Sequence, residues 1–185
     1  MKIRLSFPCL TVAILMLVGC KSNPEQDVIG RVQNMASTAE LGTVEYTVKK
    51  IVKCDDKQTF AIGDRKILFR STAYLKAGVK LDNFTADQVQ VDGKSVTVRL
   101  PHAELLSFNM PAEETTTVFE NYGFFRSRFS PEERNYIMRL GEKDIREDVP
   151  NLGILEDAEQ NTKEVFTALL SQMGFQVINI KFGEE

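Results

Sequence analysis

The chain contains no tryptophan and a single histidine, His102, among its 185 residues. With only three cysteines as well, it cannot supply a zinc site built mainly from Cys and His ligands. It also lacks the Gly-x-Ser-x-Gly elbow of serine hydrolases and the glycine-rich phosphate loops. We therefore expect no metal and no cofactor, and the sequence favours a protein without catalytic activity.

Basic residues are in the minority, with 23 Lys and Arg against 26 Asp and Glu and a formal net charge of −3. Proteins that bind nucleic acids neutralise phosphates with clustered Lys and Arg. This composition predicts no nucleic-acid partner.

One long apolar run is present, near the N-terminus. It spans about 10–18, follows Lys2 and Arg4, and ends in a small residue, which is the layout of a secretory signal. The run is shorter than the roughly 20 residues that cross a bilayer core. Its end, Leu17-Val18-Gly19-Cys20, resembles the lipobox of bacterial lipoproteins. That resemblance implies cleavage before Cys20 and a diacylglycerol on its sulfur, with an acyl chain such as palmitate on the new amino group. An ordinary signal peptide and an uncleaved anchor are the alternatives.

Cleavage at this point divides the sequence into four parts. We predict a lipoprotein signal peptide over 1–19, a lipidated tether over 20–27, an N-terminal helix over 28–42 and an α+β domain over 43–185. The protein would then be extracytoplasmic, within the cell envelope, and would contact the membrane through its lipid anchor. Lys21 follows the cysteine where enteric lipoproteins of the inner membrane have Asp, which favours the outer membrane.

The remaining cysteine, Cys54, cannot form a disulfide within the mature chain once Cys9 is removed and Cys20 is lipidated. It lies beside Asp55 and Asp56, which should raise the pKa of its thiol. We interpret the carboxylate pairs Asp55-Asp56 and Glu132-Glu133 as a solvated turn and a helix start.

Hydrophobic spacing predicts the elements of the first half. Apolar residues recur at helical spacing from Val28 onwards, and Gly42 can end that helix. β-branched residues predict a strand over 43–52. Two apolar segments over 66–81 predict a long strand broken by Gly78.

A hairpin over 89–98 is the clearest local signal, because two alternating runs flank Asp92-Gly93. Pro101 should end its second strand. The rest of 101–129 is expected to be irregular apart from a strand around 105–110.

Two helices and a strand should complete the chain. Ser130-Pro131-Glu132-Glu133 predicts a capped helix running towards Asp148. A second helix spans about 152–173 and stops at Gly174, and an alternating segment over 175–182 predicts a last strand. The fold class is α+β: a single domain with an antiparallel-rich sheet, an N-terminal helix and two C-terminal helices followed by the last strand.

Five segments, read in order, resemble the bacterial family catalogued as domain of unknown function 4230. They are Ala77-Gly78-Val79-Lys80-Leu81, Val91-Asp92-Gly93, Leu100-Pro101-His102-Ala103-Glu104-Leu105-Leu106, Gly153-Ile154-Leu155-Glu156-Asp157-Ala158-Glu159 and Leu169-Leu170-Ser171-Gln172-Met173-Gly174-Phe175. The resemblance covers roughly 40–182 and implies one α+β domain. It implies no activity, and Lys80 stands where typical members have Asp.

One segment has the composition of an interaction surface. It combines the aromatic residues Tyr122, Phe124 and Phe125 with Arg126 and Arg128. Such a mixture is suited to a protein interface or to lipid headgroups. The simpler interpretation, which we favour from sequence, places the phenylalanines in the core and the arginines in solvent.

The leading hypothesis is a lipid-anchored, non-catalytic module that binds a protein partner or ligand at the bacterial envelope. The alternatives are a carboxylate-dependent extracytoplasmic hydrolase or isomerase that uses His102 and Glu104, and a membrane-surface module that lays the segment 122–129 against headgroups.

Overall fold

The computed structural model describes residues 23–36, 41–57, 63–82 and 84–183. Within these residues the chain forms a mixed α+β fold, as predicted, with an N-terminal helix, two later helices and a final strand. The strands form two sheets rather than one. The predicted signal peptide and Cys20 lie outside the described residues.

The first sheet is built around one long central strand. Strand β1 (Leu41–Asp56) and strand β2 (Arg65–Val79) pair in antiparallel fashion along nearly their whole length. On the other side of β2 lie β5 (Glu104–Asn109) and β6 (Thr116–Tyr122), which pair with its later and earlier halves respectively.

The second sheet contains the predicted hairpin. Strands β3 (Val89–Asp92) and β4 (Ser95–Leu100) are antiparallel, and Gly93 takes the positive φ of 59° that the tight turn requires. The C-terminal strand β7 (Val177–Phe182) pairs with β4 in parallel. Pro101 directly follows β4, as predicted.

Three helices cover the inner faces of these sheets: α1 (Pro24–Ala36), α2 (Pro131–Asp148) and α3 (Ile154–Gln172). The main core joins α1, α3, both sheets and the segment after β2, with Phe84 and Phe166 in ring contact at 6.5 Å. A smaller cluster packs α2 on the Asp56 end of the first sheet through Val52, Ile67, Phe69, Phe129 and Ile137.

Several predicted boundaries are wrong. Helix α1 begins at Pro24, inside the predicted tether, and Gly42 lies in β1 rather than at the end of the helix. Strand β2 continues through Gly78, and the irregularity falls instead in its pairing with β5, between Lys76 and Ala77. Strand β6 was not predicted, because most of its side chains are exposed and its sequence therefore lacks an inward-outward alternation.

Candidate functional site

The loop that follows β6 presents two phenylalanines to solvent. The side chains of Phe124 and Phe125 are 95% and 71% exposed. Their rings pack edge to face with centroids 5.0 Å apart, a favourable geometry for aromatic pairs. Exposed aromatic side chains of this size are typical of binding surfaces. We call Phe124 and Phe125 the aromatic tip.

The simpler interpretation of this segment is wrong for Phe124, Phe125 and Arg126, because the two phenylalanines are exposed and the arginine faces inwards. The Arg126 side chain is only 7% exposed, and its Nη2 donates to Asp56 Oδ2 at 2.6 Å. Arg128 is exposed and donates from Nε to the Tyr122 hydroxyl at 3.0 Å. Of the phenylalanines in the segment, Phe129 is the one that enters the core.

A partly buried ionic cluster, in which two buried arginines meet more exposed carboxylates, supports the base of the loop. Arg65 donates to Asp56 Oδ2 at 2.6 Å through Nη2 and at 2.9 Å through Nε. It also donates to both carboxylate oxygens of Glu133, at 2.6 and 3.2 Å, and its guanidinium lies over the Phe129 ring at 4.4 Å. Arg65 and Arg126 therefore share one carboxylate, that of Asp56.

This cluster links the loop to the first turn of α2. Ser130 accepts from the Glu133 backbone amide, and the Glu133 carboxylate accepts from the Ser130 amide at 2.7 Å, which forms the predicted capping box. Hydrogen bonds from Arg65 and the Ser130 amide lower the pKa of Glu133. The interpretation of Glu132-Glu133 as a helix start is confirmed, and the half-exposed Glu133 carboxylate also pairs with Arg65.

Two glycines allow the loop to sit directly against the start of β2. A Cβ on Gly123 would lie 2.9 Å from the Gly63 Cα, a separation that side-chain atoms do not adopt without movement of the backbone. The Gly123 amide donates to the Asp64 carbonyl at 3.1 Å. The aromatic tip therefore stands on a tightly packed base.

The aromatic tip lies far from α1. Helix α1 lies near the C-terminal end of β2. Phe84 follows that end, where its amide donates to the Leu81 carbonyl, and Gln33 of α1 donates to the Phe84 carbonyl at 3.3 Å. The loop of the tip instead joins the opposite end of β2, at Asp64. A 15-residue strand spans roughly 45 Å at about 3.3 Å per residue.

His102 and Glu104 each contact a different charged residue. The His102 side chain is 69% exposed, and its Nδ1 lies 2.8 Å from Glu159 Oε1. Glu104 is exposed and pairs separately with Lys80 at 2.7 Å. Both residues border an open polar cavity of about 390 Å³, but each faces its own ionic partner, so nothing in this geometry favours the carboxylate-dependent enzyme.

Cys54 borders a shallow groove of about 360 Å³ between the end of β1 and α2. Burial is the main cause that raises the pKa of its thiol, followed by the charges of Asp56 and Asp55. The direction agrees with the prediction from sequence. Such a thiol is a poor nucleophile at neutral pH.

Two further kinds of site are missing from the part of the chain that the structure describes. It contains no group of three or more His, Cys, Asp and Glu side chains able to hold a metal ion. None of its helices is long and apolar enough to cross a membrane.

Residues 33–180 match the family described as Protein of unknown function (DUF4230). The chain belongs to this family. No curated protein and no solved structure matches the chain. The matched range includes the aromatic tip, the ionic cluster and the capping box, so the resemblance stated from sequence is confirmed at the level of the family.

Proposed function

We propose that this protein is a lipid-anchored, non-catalytic interaction module at the bacterial cell envelope, and that its aromatic tip binds a protein partner. The tip carries the proposal, since two neighbouring phenylalanines stay exposed on a base held by partly buried ion pairs. A rigid apolar projection loses little conformational entropy when it enters a pocket on a partner.

A protein pocket suits the tip better than the anchoring membrane does. The loop crosses to the helix-covered side of the first sheet, because Phe129 packs with Val52 and with Ile137 of α2. It also lies at the end of β2 remote from α1, the helix that the proposed anchor precedes. Only one of the two arginines of this segment could reach headgroups, because Arg126 is buried in its pair with Asp56 while Arg128 is exposed.

The anchor is tested by metabolic labelling with an acyl-chain probe in bacteria that express the full chain. Cys20→Ser should abolish labelling and release the protein from membranes, because the cysteine sulfur is the proposed lipid attachment site. Cys54→Ser is the matched control and should keep both properties. Label that persists in Cys20→Ser, or disappears in Cys54→Ser, would contradict the anchor.

The tip is tested by a photo-crosslinking amino acid placed at position 124 of the full chain in living cells. Val177 is the control position, since it is an exposed apolar residue on β7 in the other sheet. We expect a discrete adduct from position 124 that is absent from position 177 and is lost when Phe125→Ser is added. Equal adducts at both positions, or an adduct of twice the chain mass, would contradict a separate partner.

A further inference from the structure

Within the described residues, the first sheet has a second face that no helix covers. Along β1, Tyr46 and Lys50 point to the helices, where they bond to Asp157 at 2.6 Å and Asp148 at 3.1 Å. The alternate residues of β1, such as Lys49, Ile51 and Lys53, point the other way, whereas Val48 packs on the helix-covered core. We call this surface, formed by alternate residues of β1 and β2 with their neighbours on β6, the open face.

The middle of the open face is apolar. Ile51 is 60% exposed on β1, and Phe119 is 46% exposed on β6. Leu68 lies between them on β2, directly opposite Phe119 and Lys53. Phe119 is therefore a direct cross-strand neighbour of Leu68, and Ile51, which is opposite Arg70, is a diagonal neighbour of Leu68. These three residues form an apolar strip across the sheet.

Cations surround this strip. Lys49 is opposite Thr72, and Arg70 is opposite Ile51. Lys66, next along β2 from Leu68 on the same face, is opposite Asp55. Among the described residues these three cations have no carboxylate within ion-pair distance, whereas Lys53 pairs with Asp55 at 2.8 Å. The other carboxylates of the face, including Glu45 and Glu114, lie further towards β5.

The opposite side of the molecule carries the opposite charge. Helices α2 and α3 together contain ten carboxylates and five cations. A protein whose overall charge is negative therefore presents a basic sheet face on one side and an acidic helix layer on the other. An anionic surface would attract the first and repel the second, which orients the molecule.

We infer that the open face lies on anionic lipid headgroups, with Ile51, Leu68 and Phe119 at the headgroup boundary and the cations around them over lipid phosphates. Basic residues next to an anionic leaflet each contribute favourably to binding. Exposed aliphatic and aromatic side chains add apolar contact at the boundary. This inference goes beyond the proposed function and does not depend on how the chain is anchored.

This orientation leaves the aromatic tip available. Its loop joins α2 on the helix-covered side, so headgroup contact by the open face keeps Phe124 and Phe125 accessible to a protein. The two surfaces therefore do not compete for one ligand.

Lysine acetylation tests the orientation in the full-length chain, reconstituted on vesicles of phosphatidylcholine or of an equal mixture of phosphatidylcholine and phosphatidylglycerol. Brief treatment with a water-soluble acetylating reagent is followed by mass spectrometry of each lysine. We expect Lys49 and Lys66 to react several-fold more slowly on the anionic vesicles, and the difference to vanish at high salt. Lys143 and Lys163 in the helix layer are internal controls and should react equally on both.

Charge reversal provides the matched variants. Lys49→Glu with Arg70→Glu should remove the protection of Lys66, and the affinity of the face for anionic vesicles should fall at least about tenfold. Arg139→Glu with Lys143→Glu, on α2, should leave that protection intact. Equal reactivity on the two vesicle types would overturn the inference. Protection seen in cell envelopes but on neither vesicle type would also overturn it and would indicate an acidic protein partner. Protection that rises with protein concentration in the absence of vesicles would overturn it too and would indicate contact with a second copy of the chain.

Discussion

Gly141 allows α2 to approach β1 closely. A Cβ built on this glycine would lie 3.2 Å from Val52 Cγ1 and closer still to Val52 Cγ2, whereas carbon atoms pack best at about 3.5–4.0 Å. Val52 is buried and β-branched, so it has few alternative rotamers. Gly141→Ala therefore forces α2 away from the strand.

Two opposing effects set the stability of Gly141→Ala. Alanine improves helix propensity by about 1 kcal/mol relative to glycine, while overpacking a dense core costs about 1–3 kcal/mol. Because both methyl groups of Val52 are affected, we expect the upper part of that range and a net loss of about 1–2 kcal/mol in the free energy of unfolding. Gly30→Ala is the matched control: no atom lies within 4 Å of its added Cβ, so it should gain up to about 1 kcal/mol.

Urea denaturation of the full chain, with unchanged m-values, measures both free energies. Val52→Ala removes the two methyl groups, so adding it to Gly141→Ala should cost less than adding it to the wild type, with a coupling of about 1 kcal/mol or more. If Gly141→Ala is as stable as the wild type, or if the two substitutions are additive, the proposed contact does not control the packing of α2.

Three further predictions concern single groups. The hydrogen bond from Arg65 holds the pKa of Glu133 in the folded protein below its ordinary 4.5. The ionised carboxylate therefore stabilises the fold fully above pH 4.5, and this contribution is lost as the pH falls through the pKa of the folded state. In a plot of the free energy of unfolding against pH, Glu133→Gln should flatten the acid limb. Because the pKa of the Cys54 thiol is raised above 9.0, its alkylation, followed by peptide mass spectrometry, should show a midpoint at higher pH in the folded chain than in urea. Gly93→Ala should lower the free energy of unfolding by about 1 kcal/mol because of the positive φ at this position, and Gly93→Asn should lower it less. Thermal unfolding measures both variants, and equal losses would show that the turn does not require this conformation.

Local signals made α2 and the hairpin predictable from sequence. The capping serine, the proline and the glutamate that start α2 are adjacent in the chain, so their interaction is visible in four residues. Asp92-Gly93 likewise defines a turn by its own backbone preference. Elements such as these depend little on the rest of the fold.

The candidate site depends on contacts between distant parts of the sequence. Arg65 meets Glu133 across 68 positions and Arg126 meets Asp56 across 70, and no local pattern marks those partners. Phe124 and Phe129 have similar neighbours in the sequence, yet of the two only Phe129 packs against the Arg65 guanidinium and in the small core cluster. Which phenylalanine stays exposed is therefore decided by tertiary structure.

The parallel pairing of β7 with β4 also affects when the protein can fold. β4 contributes Val96, Val98 and Leu100 to the main core, but its neighbour on one side is the last strand of the chain, residues 177–182. Pairing across so many residues requires closure of a large loop and is slow. Until β7 has been synthesised, β4 has an unprotected edge. A chain truncated before β7 should therefore fail to complete its core and should aggregate through that edge.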